Sequence, residues 1–594
     1  MRNHVLMDHL LHEPHHDGSP LYVDQETAPL GSQVTVRVRT HAHRPVDAVW
    51  VRTVEDAEPF FAACEVERTE GDVVWWVGRL RMRNPVQRYR FMVATGDTFC
   101  WLNQAGVFDR DVTDAHDFRV TAYDAPPDWG RDGVVYQIFP DRFARSRGAD
   151  DRPVPHWAKP ATWNDAPIHE GPDTPLQFYG GDLDGIVEHL DHLQALGVDT
   201  VYLTPVFPGE SNHRYNASTF DEVDPLLGGD DAYRRLIDAA HARGLRVLGD
   251  LTSNHTGDTH EWFVRALQDP AAPERSFYYF RADGSHEGWK GHATLPKLDH
   301  LESAVGQRMR KVVERWLEFG LDGWRIDVAN MTGRHHDIDI AHQVARDIRR
   351  TATRVRPEAL VLAEHGHDAT GDLDGDGWHG TMNYYGFSFP VWEWLRDPER
   401  PVPSFGLPVG VPRRDGVAAV AAMRDFTASF GWRATTASWN ILGSHDSPRI
   451  RTTTGSAALH HLAAVLQFTL PGVPMVFAGD ELGLEGVDGE DSRRTMPWDD
   501  ASGWDTTTMD LYAALAGLRR DHVALRRGGL RWVRIAADEI AYLREHPDET
   551  LLVTVSRTGA PTPDLPGLEN RQTLLAVGNA AGAGPRATVS LART

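Results

Sequence analysis

The feature that most constrains the fold is an alternation of short apolar runs with amphipathic helical segments, which begins near residue 133. An apolar run at 197–204 precedes a helical pattern at 232–243, and a second apolar run at 244–250 follows it. Parallel strands require a crossover connection that is usually helical, so this alternation predicts a parallel sheet covered by helices. Its extent of about 400 residues suits a TIM barrel with insertions.

The regions on either side of this alternation have a different texture. From about residue 21 to 123, short alternating runs are separated by turn residues, which is typical of an antiparallel β-sandwich. Strand patterns return after about residue 524. We therefore predict an α/β fold class: an N-terminal β-sandwich at 1–125, a (β/α)8 TIM barrel at 126–523, and a C-terminal β-sandwich domain at 524–594.

Charge and cysteine content exclude several kinds of partner. The formal net charge of −24 provides no positive field to attract nucleic acid or anionic lipid, so a neutral substrate fits better. The two cysteines, Cys64 and Cys100, allow at most one disulfide. The first ten residues lack an apolar signal core, and no apolar run is long enough to span a bilayer. We expect a cytoplasmic protein with neither nucleic-acid nor membrane partners.

Several predicted strands end in side chains that are suited to catalysis or to binding polar groups. In a TIM barrel, reactive side chains lie at the C-terminal ends of the strands. The groups found at four successive ends are Asp250 with Asn254 and His255, Arg325 with Asp327, Glu364, and His445 with Asp446. Arg325 and Asp327 are two residues apart on a strand and therefore point the same way. A single Arg-x-Asp is usually a structural ion pair, but four such ends in order predict a catalytic site.

Taken in order, these four segments resemble the four short motifs of the α-amylase superfamily, glycoside hydrolase family 13. The segment Leu-Pro-Lys-Leu-Asp at 295–299 is similar to an additional motif of its neopullulanase, cyclomaltodextrinase and maltogenic amylase group. Further stretches resemble that group at 135–144, 177–186, 212–215 and 471–483. The resemblance extends from about residue 20 to the end of the chain. It implies that 256–299 form domain B, the lobe on one side of the cleft.

The resemblance implies a retaining hydrolase that cleaves α-1,4 and also α-1,6 glucosidic bonds of short or cyclic malto-oligosaccharides by double displacement. Asp327 would be the nucleophile, and Glu364 the general acid and then the base. Asp446 would bind sugar hydroxyls and distort the ring. This agrees with the chemistry, because cleavage with retention needs two carboxyl groups flanking the anomeric carbon. Arg325 is expected to lower the pKa of Asp327 and keep it ionised.

The resemblance also implies a set of substrate-binding residues around the same sugar. His255 and His445 would donate to hydroxyls, Tyr215 would stack under the ring with His213 beside it, and Asp250 would brace the site. Further candidates of this kind are Asn254, Arg325, Arg449, Asp491 and Arg493.

One departure from the group lies on the leaving-group side of the site. The acid/base Glu is usually followed by an aliphatic residue, Trp and His, whereas here Glu364 is followed by His365, Gly366 and His367. Our hypothesis is that Gly366 opens the subsite for the departing sugar and admits branched, α-1,6-linked or cyclic substrates.

A second departure lies at the usual calcium site of the group. Arg145 and Arg147 stand where two oxygen ligands are expected, and their cations would repel Ca²⁺. The remaining metal candidates are Asp150, Asp151 and Asp182. We expect this site to be lost or filled by an arginine charge, and the reaction requires no cofactor.

The catalytic motifs leave three alternatives open beside a general malto-oligosaccharide hydrolase. These are a hydrolase specialised for cyclic or branched mixed-linkage oligosaccharides such as cyclic maltosyl-maltose, a transglycosylase on the same site, and a non-catalytic sugar-binding relative. Relatives of the last kind lack some of the carboxylates, and this chain has all three. The expected partners are an α-glucan oligosaccharide substrate and a second copy of the chain, forming a homodimer through the N-terminal domain.

Overall fold

The computed structural model describes residues 10–403, 408–559, 568, 570–578 and 584–592. Antiparallel strands of the N-terminal region come first: β1 (Gln33–His41), β2 (Ala48–Glu55), β3 (Glu58–Ala63), β4 (Glu65–Glu70), β5 (Val73–Arg81), β6 (Val86–Thr95), β7 (Thr98–Asn103), β8 (Gly106–Phe108) and β9 (Phe118–Thr121). They form two sheets, β1-β5-β4 and β3-β2-β6-β7-β8, with β9 beside β6. Alternate residues of β1, including Val34, Val36 and Val38, are buried in a core that both sheets share. This confirms the predicted N-terminal β-sandwich.

The central region forms a closed parallel barrel. Its strands are β10 (Val135–Ile138), β13 (Thr200–Leu203), β14 (Arg246–Leu251), β15 (Gly323–Ile326), β18 (Leu360–Ala363), β19 (Gly380–Thr381), β20 (Trp439–Ile441) and β21 (Val473–Phe477). Neighbours follow the order β19-β18-β15-β14-β13-β10-β21-β20, and a parallel bridge between Met382 and Trp439 joins the two ends. The predicted TIM barrel is therefore confirmed. Two short pairs lie outside the barrel: β11 (Lys159–Pro160) with β12 (Gln177–Phe178), and β16 (Arg334–His335) with β17 (Ile338–Asp339).

Amphipathic helices cover the outside of the barrel. The α-helices are α1 (Trp129–Asp132), α2 (Pro140–Phe143), α3 (Leu183–Glu188), α4 (Leu190–Ala195), α5 (Gly229–Ala242), α6 (Glu261–Gln268), α7 (Ser303–Phe319), α8 (Ala341–Val355), α9 (Phe389–Leu395), α10 (Gly416–Phe430), α11 (Trp432–Ala437), α12 (Ile450–Thr454), α13 (Ala457–Thr469), α14 (Gly489–Ser492), α15 (Thr506–Asp521) and α16 (Val523–Arg527). Helix α7 shows why such a segment is helical: Glu302 caps it by accepting from the Ala304 amide, and Val305, Met309 and Val312 repeat at helical spacing on its buried face.

Two apolar layers hold the barrel together. Side chains such as Tyr202, Leu248, Leu362 and Trp439 fill its interior, while a larger cluster lies between strands and helices. With both faces covered, the strands are mostly apolar, and polar side chains such as Asp250 and Arg325 lie near their C-terminal ends. This packing places the functional groups at the C-terminal mouth.

Domain B follows β14 and contains α6, and isolated antiparallel bridges such as His255 with Lys297 and Gly288 with Pro296 hold it beside the barrel mouth. The predicted domain boundaries stay predictions. Within the described residues, none of the helices combines the length and apolar character needed to cross a bilayer.

The C-terminal region forms one antiparallel sheet in the part of the chain that the structure describes. Its order is β22-β23-β24-β26-β25, from β22 (Gly529–Ile535), β23 (Glu539–His546), β24 (Glu549–Ser556), β25 (Arg571–Val577) and β26 (Arg586–Ala592). One face of this sheet, including Tyr542 and Val553, packs against the barrel helices. The barrel helices thus form the layer that packs against this face of the C-terminal sheet.

Candidate active site

Three carboxyl groups meet at one buried guanidinium at the barrel mouth. The Nη1 atom of Arg325 donates to both carboxyl oxygens of Asp250 at 3.0 Å and to Asp327 Oδ1 at 2.9 Å. Its Nη2 atom lies 3.0 Å from Glu364 Oε2. We call these four residues the Arg325 cluster. It carries three acidic groups and a single cation within ion-pair distance of all of them.

Strand geometry brings these residues together. Asp250 and Arg325 are register partners of the parallel strands β14 and β15, so their side chains are neighbours. Asp327 lies two residues after Arg325, and Glu364 directly follows β18. The backbone amide of Val328 donates to Glu364 Oε2 at 2.7 Å, and Val328 has a φ of 36°, which is unusual for a β-branched residue. The backbone N–H of Val328 and the guanidinium of Arg325 together hold the Glu364 carboxyl in place.

The electrostatics of this cluster correct one expectation. Burial raises the pKa of Asp327 well above its ordinary value; Arg325 lowers it, and the carboxyls of Glu364 and Asp250 raise it. Burial likewise raises the pKa of Asp250 to about 6. The prediction that Arg325 would keep the Asp327 pKa low is wrong, because burial, helped by the two neighbouring acids, outweighs the lowering by Arg325. The substrate-free cluster therefore favours holding a proton.

Asp446 has a different environment from the other acids. Its oxygens lie 3.1 Å from His445 Nε2 and 3.1 Å from Arg493 Nη2. Although burial opposes this, His445 and Arg493 hold the pKa of Asp446 below its ordinary value. Asp446 is thus an ionised acceptor beside the Arg325 cluster. Arg493 contacts it, and the substrate-binding role of Arg493 stays a prediction.

Tyr215 and His445 connect Asp446 to the cluster. The Tyr215 hydroxyl donates to Asp250 Oδ2 at 3.0 Å and lies 2.8 Å from His445 Nε2, and the two rings are parallel within 10°. The Gln137 amide Nε2 donates to His445 Nδ1 at 2.9 Å, so the ring proton lies on Nε2. Burial lowers the pKa of His445 to about 3, which keeps the imidazole neutral. Sequence reasoning missed Gln137, whose only signal was its place in the first barrel strand.

Two of these groups, Glu364 and Asp446, line a cleft of about 850 Å³. Trp289 of domain B lines it as well. Gly366 also lines the cleft, and a Cβ atom built there would meet no heavy atom within 4 Å. Tyr384, in a π-helical turn after β19, lines it as well and was not predicted, because no local motif marks it. The site thus adjoins a cleft that Glu364 and Asp446 line.

Comparison with known proteins agrees with this geometry. The model of the alpha-amylase catalytic domain matches residues 137–533. The chain belongs to the α-amylase family. It is 33% identical to a cyclomaltodextrinase from Bacillus sp over 448 residues, which cover 73% of this chain and 74% of that relative. It is 32% identical to neopullulanase 2 from Thermoactinomyces vulgaris over 446 residues, which cover 73% of this chain and 70% of that relative.

A solved structure of the same family gives a further match. This is the ligand-free cyclic alpha-maltosyl-(1→6)-maltose hydrolase from Arthrobacter globiformis, with a TM-score of 0.67 and 30% sequence identity. The match covers 78% of this chain and all of that one. These similarities show that the chain is a glycoside hydrolase of the cyclomaltodextrinase and neopullulanase group, as the sequence predicted.

Three further predicted residues of this α-amylase family member lie at the site. His255 is buried with a pKa lowered to about 3 by burial, and its Nε2 atom has no hydrogen-bond partner among the described residues. Asn254 Nδ2 lies 3.2 Å from His255 Nδ1, and Lys297 Nζ donates to Asn254 Oδ1 at 2.5 Å. His213 accepts from the Tyr215 amide at 3.1 Å, and burial lowers its pKa to about 3. His213 and His255 are therefore neutral imidazoles.

Two predicted substrate-binding residues have other contacts. Arg449 is fully buried, pairs with Asp480 at 2.9 Å and donates to the Ser492 carbonyl at 2.7 Å. Asp491 accepts from Arg494 at 2.6 Å and from the Val487 amide at 2.9 Å. Both side chains are thus held by protein partners near Asp446, and their substrate-binding roles stay predictions.

The calcium candidates do not fit a hard cation. Asp182 accepts from the Ser146 amide, the Ser146 hydroxyl and the Gly185 amide, and Arg152 pairs with it at 2.7 Å. Asp150 pairs with Arg145 at 2.7 Å. Asp151 is exposed in the turn Arg147–Asp151. Arginine cations thus neutralise the two carboxylates that a Ca²⁺ ion would need.

Proposed function

We propose that the chain is a retaining α-glycoside hydrolase that cleaves α-1,4 and also α-1,6 glucosidic bonds of short or cyclic malto-oligosaccharides. The observation that carries this proposal is the Arg325 cluster beside Asp446 on an open cleft of the barrel mouth. The names of the relatives support the substrate class: cyclomaltodextrinase, neopullulanase and cyclic alpha-maltosyl-(1→6)-maltose hydrolase.

In the first half-reaction, Glu364 protonates the glycosidic oxygen while an Asp327 oxygen attacks the anomeric carbon. The bond from that carbon to the leaving oxygen breaks, the bond to Asp327 forms, and the departing sugar carries the proton away. In the second half-reaction, ionised Glu364 takes a proton from water as the water oxygen displaces Asp327. Because one cation faces three acids, the free cluster can carry the single proton that this cycle requires.

Neutral donors and an ionised acceptor around the sugar complete the proposal. Asp446 would accept from sugar hydroxyls, and the Nε2–H groups of His255 and His445 would donate to them. Burial lowers the pKa of each imidazole to about 3, so both keep this donor pattern at the pH where Asp446 is ionised. These hydrogen bonds to the sugar would become stronger as its ring flattens toward an oxocarbenium-like state.

The experiment is a product chromatogram on cyclodextrin, pullulan, maltotriose, panose and cyclic maltosyl-maltose, run beside Asp327→Asn. We expect hydrolysis products from at least the cyclic substrates, and loss of product with the variant. Absence of product from all five, or a variant as fast as the parent, would refute the proposal. Repeating the run at high substrate concentration separates hydrolysis from transfer to a second sugar, because transfer yields products longer than the substrate.

Gly366 is proposed to set the linkage preference. A Cβ at this position has open space around it and lies at the cleft, so the first atom of the Gly366→Trp side chain meets no obstacle. Restoring the Trp wall should shift the ratio of α-1,4 to α-1,6 cleavage by roughly 10-fold toward α-1,4. Gly366→Ala is the matched control, with little change expected. If Gly366→Trp leaves the ratio unchanged, this hypothesis fails, and a specialised role on branched or cyclic mixed-linkage substrates loses its support.

A homodimer through the N-terminal domain is proposed as well. Phe60 and Phe61 are exposed on β3, an edge strand, and Phe99 is exposed on β7 of the same sheet. Exposed aromatic groups on a sheet edge are typical of an association surface. Light scattering should give a dimer mass for the parent chain and a monomer mass for Phe60→Ser/Phe61→Ser. Val487→Ser, at another exposed apolar residue, serves as the control.

A cytoplasmic location is the last part of the proposal. Both cysteines, Cys64 and Cys100, are free, which fits a reducing compartment. Fractionation of the native host, with detection by antibody, tests this, and recovery of the protein outside the cell would contradict it.

A further inference from the structure

A group of metal-ligating side chains, Glu287, His335 and His336, lies outside the Arg325 cluster, close in sequence to residues that line the cleft. Glu287 belongs to domain B, two residues before the cleft residue Trp289. His335 and His336 belong to the β16–β17 hairpin, which follows the strand that leads to Asp327. The group therefore joins two separate chain segments that each adjoin cleft-lining residues, and the proposed hydrolysis uses none of its members.

The geometry of the three side chains is close to that of a ligand set. His335 Nε2 lies 2.8 Å from Glu287 Oε2, and His336 Nε2 lies 3.9 Å from Glu287 Oε1. One ligand atom from each residue lies within 4.8 Å of the others. Ligands around one tetrahedral Zn²⁺ are about 3.3 Å apart, as bond lengths near 2.0 Å require. Small side-chain rotations of the exposed His336 would bring the set to that spacing.

The backbone is shaped to aim both imidazoles at one carboxylate. Consecutive residues of an extended strand point to opposite sides. His336 has a φ of 51°, a left-handed conformation that is unfavourable for a residue with a side chain, and it turns the second ring toward the first. The ring centroids of His335 and His336 are 4.1 Å apart. Tyr279 stacks on His335 at 3.8 Å and fixes that ring.

The chemistry of the donors selects the class of ion. Two imidazoles and one carboxylate suit Zn²⁺ and similar transition metals, whereas Ca²⁺ and Mg²⁺ prefer oxygen ligands alone. Arg281 lies 3.5 Å from Glu287 Oε1, but its side chain is 54% exposed and can swing into solvent. A metal ion would then replace the cation that now faces Glu287.

We propose that Glu287, His335 and His336 bind one divalent transition-metal ion of the Zn²⁺ class, with water completing its coordination. The ion would link domain B to the hairpin after β15 and fix the distance between Trp289 on one wall and Asn330 and Met331 on the other. This site is separate from the proposed hydrolytic chemistry and does not depend on it.

The test uses the full chain without a polyhistidine tag, treated with a chelator and dialysed. Calorimetric titration with Zn²⁺ should show one site, and Co²⁺ should give the visible absorption of an ion with nitrogen ligands. His336→Asn keeps a residue that tolerates the left-handed conformation but removes the imidazole. We expect its Zn²⁺ affinity, and that of Glu287→Gln, to fall by more than about 100-fold, since the loss of an outer partner alone costs 10- to 100-fold.

A matched control separates this site from other histidines. His12, His41 and His43 form a second group, with ring centroids 4.1 to 5.5 Å apart, so His43→Ala should leave the affinity unchanged. An unchanged melting temperature without metal shows that each variant is folded. Equal affinity for the parent chain and His336→Asn overturns the proposal, as does the absence of Zn²⁺ heat and Co²⁺ absorption up to millimolar concentration.

Discussion

Two acidic groups of the molecule differ in how their charge is balanced. In the Arg325 cluster, Asp250, Asp327 and Glu364 share one cation. In the sequence run 372–376, which we call the acidic run, each carboxylate has at least one arginine within ion-pair distance, and two of the three also contact a histidine. Asp372 pairs with Arg334 and His365, Asp374 lies near Arg88 and Arg119, and Asp376 pairs with Arg346 and His342.

This difference distinguishes an acidic group that stabilises the fold from one suited to catalysis. Burial raises the pKa of Asp327, whereas the pKa of Asp372 is lowered: burial opposes the shift, but the His365 hydrogen bond and Arg334 outweigh it. Buried carboxyl groups that have a shifted pKa and no cation of their own lower the stability of the fold. They mark functional sites more often than carboxylates in ion pairs do. The sequence pattern Asp-x-Asp-x-Asp of the acidic run resembles a calcium loop, but arginines and histidines already hold its carboxylates.

The largest expected effect is on turnover. Asp327→Asn or Glu364→Gln should lower kcat on a cyclodextrin by about 10⁴-fold or more, because each removes a group that reacts directly. The measurement is the release of reducing ends. Asp376→Asn, in the acidic run, should keep the parent kcat. A residual rate above a tenth of the parent in Asp327→Asn would contradict the distinction between the two groups.

The next effect is on stability through the shared cation. Arg325→Met removes the one cation that Asp250, Asp327 and Glu364 share and should lower the free energy of unfolding by about 3–5 kcal/mol, measured by chemical denaturation. Arg346→Met removes a cation from Asp376, which keeps His342 at 3.0 Å, and should cost no more than about 1–2 kcal/mol. If both variants lost the same free energy of unfolding, Arg325 would stabilise its three acids no more than Arg346 stabilises Asp376, which would contradict this prediction.

Opposite pH dependence is the third expected effect. The folded-state pKa of Asp327 is raised, so its contribution to stability is complete below its unfolded pKa near 3.8 and is lost as pH rises. Asp327→Asn should therefore raise the melting temperature relative to the parent at pH 7, with the gain shrinking below pH 4.

The folded-state pKa of Asp372 is lowered, so its stabilisation is present above about pH 3.8 and is lost as pH falls through the folded pKa. Asp372→Asn should lower the free energy of unfolding at pH 7 by about 1.5–3 kcal/mol, with a smaller loss in acid. Calorimetric melting curves across pH check both variants. If both substitutions changed the stability at pH 7 in the same direction, the contrast between the Arg325 cluster and the acidic run would be lost.

The parts of the molecule that could be predicted are those set by local pattern. Strand period and register place Asp327 and Glu364 at the mouth, and four short segments were enough to recognise them. The direction of the Arg449 side chain could not be read from sequence, because it is decided by Asp480, thirty-one positions away. Tyr384 was missed for the same reason: it reaches the cleft from a loop whose path is set by packing.

The smallest expected effect concerns the acidic run alone. Asp374 lies 3.8 Å from both Arg88 and Arg119, at the contact between the N-terminal sandwich and the barrel, and its side chain is 25% exposed. Long, partly solvated pairs contribute little, so Asp374→Asn should change the free energy of unfolding by less than about 1 kcal/mol and leave kcat and KM unchanged. A large loss of activity in this variant would mean that the contact with the sandwich positions the cleft. The acidic run would then serve catalysis as well as stability, and charge balance would cease to distinguish the two groups.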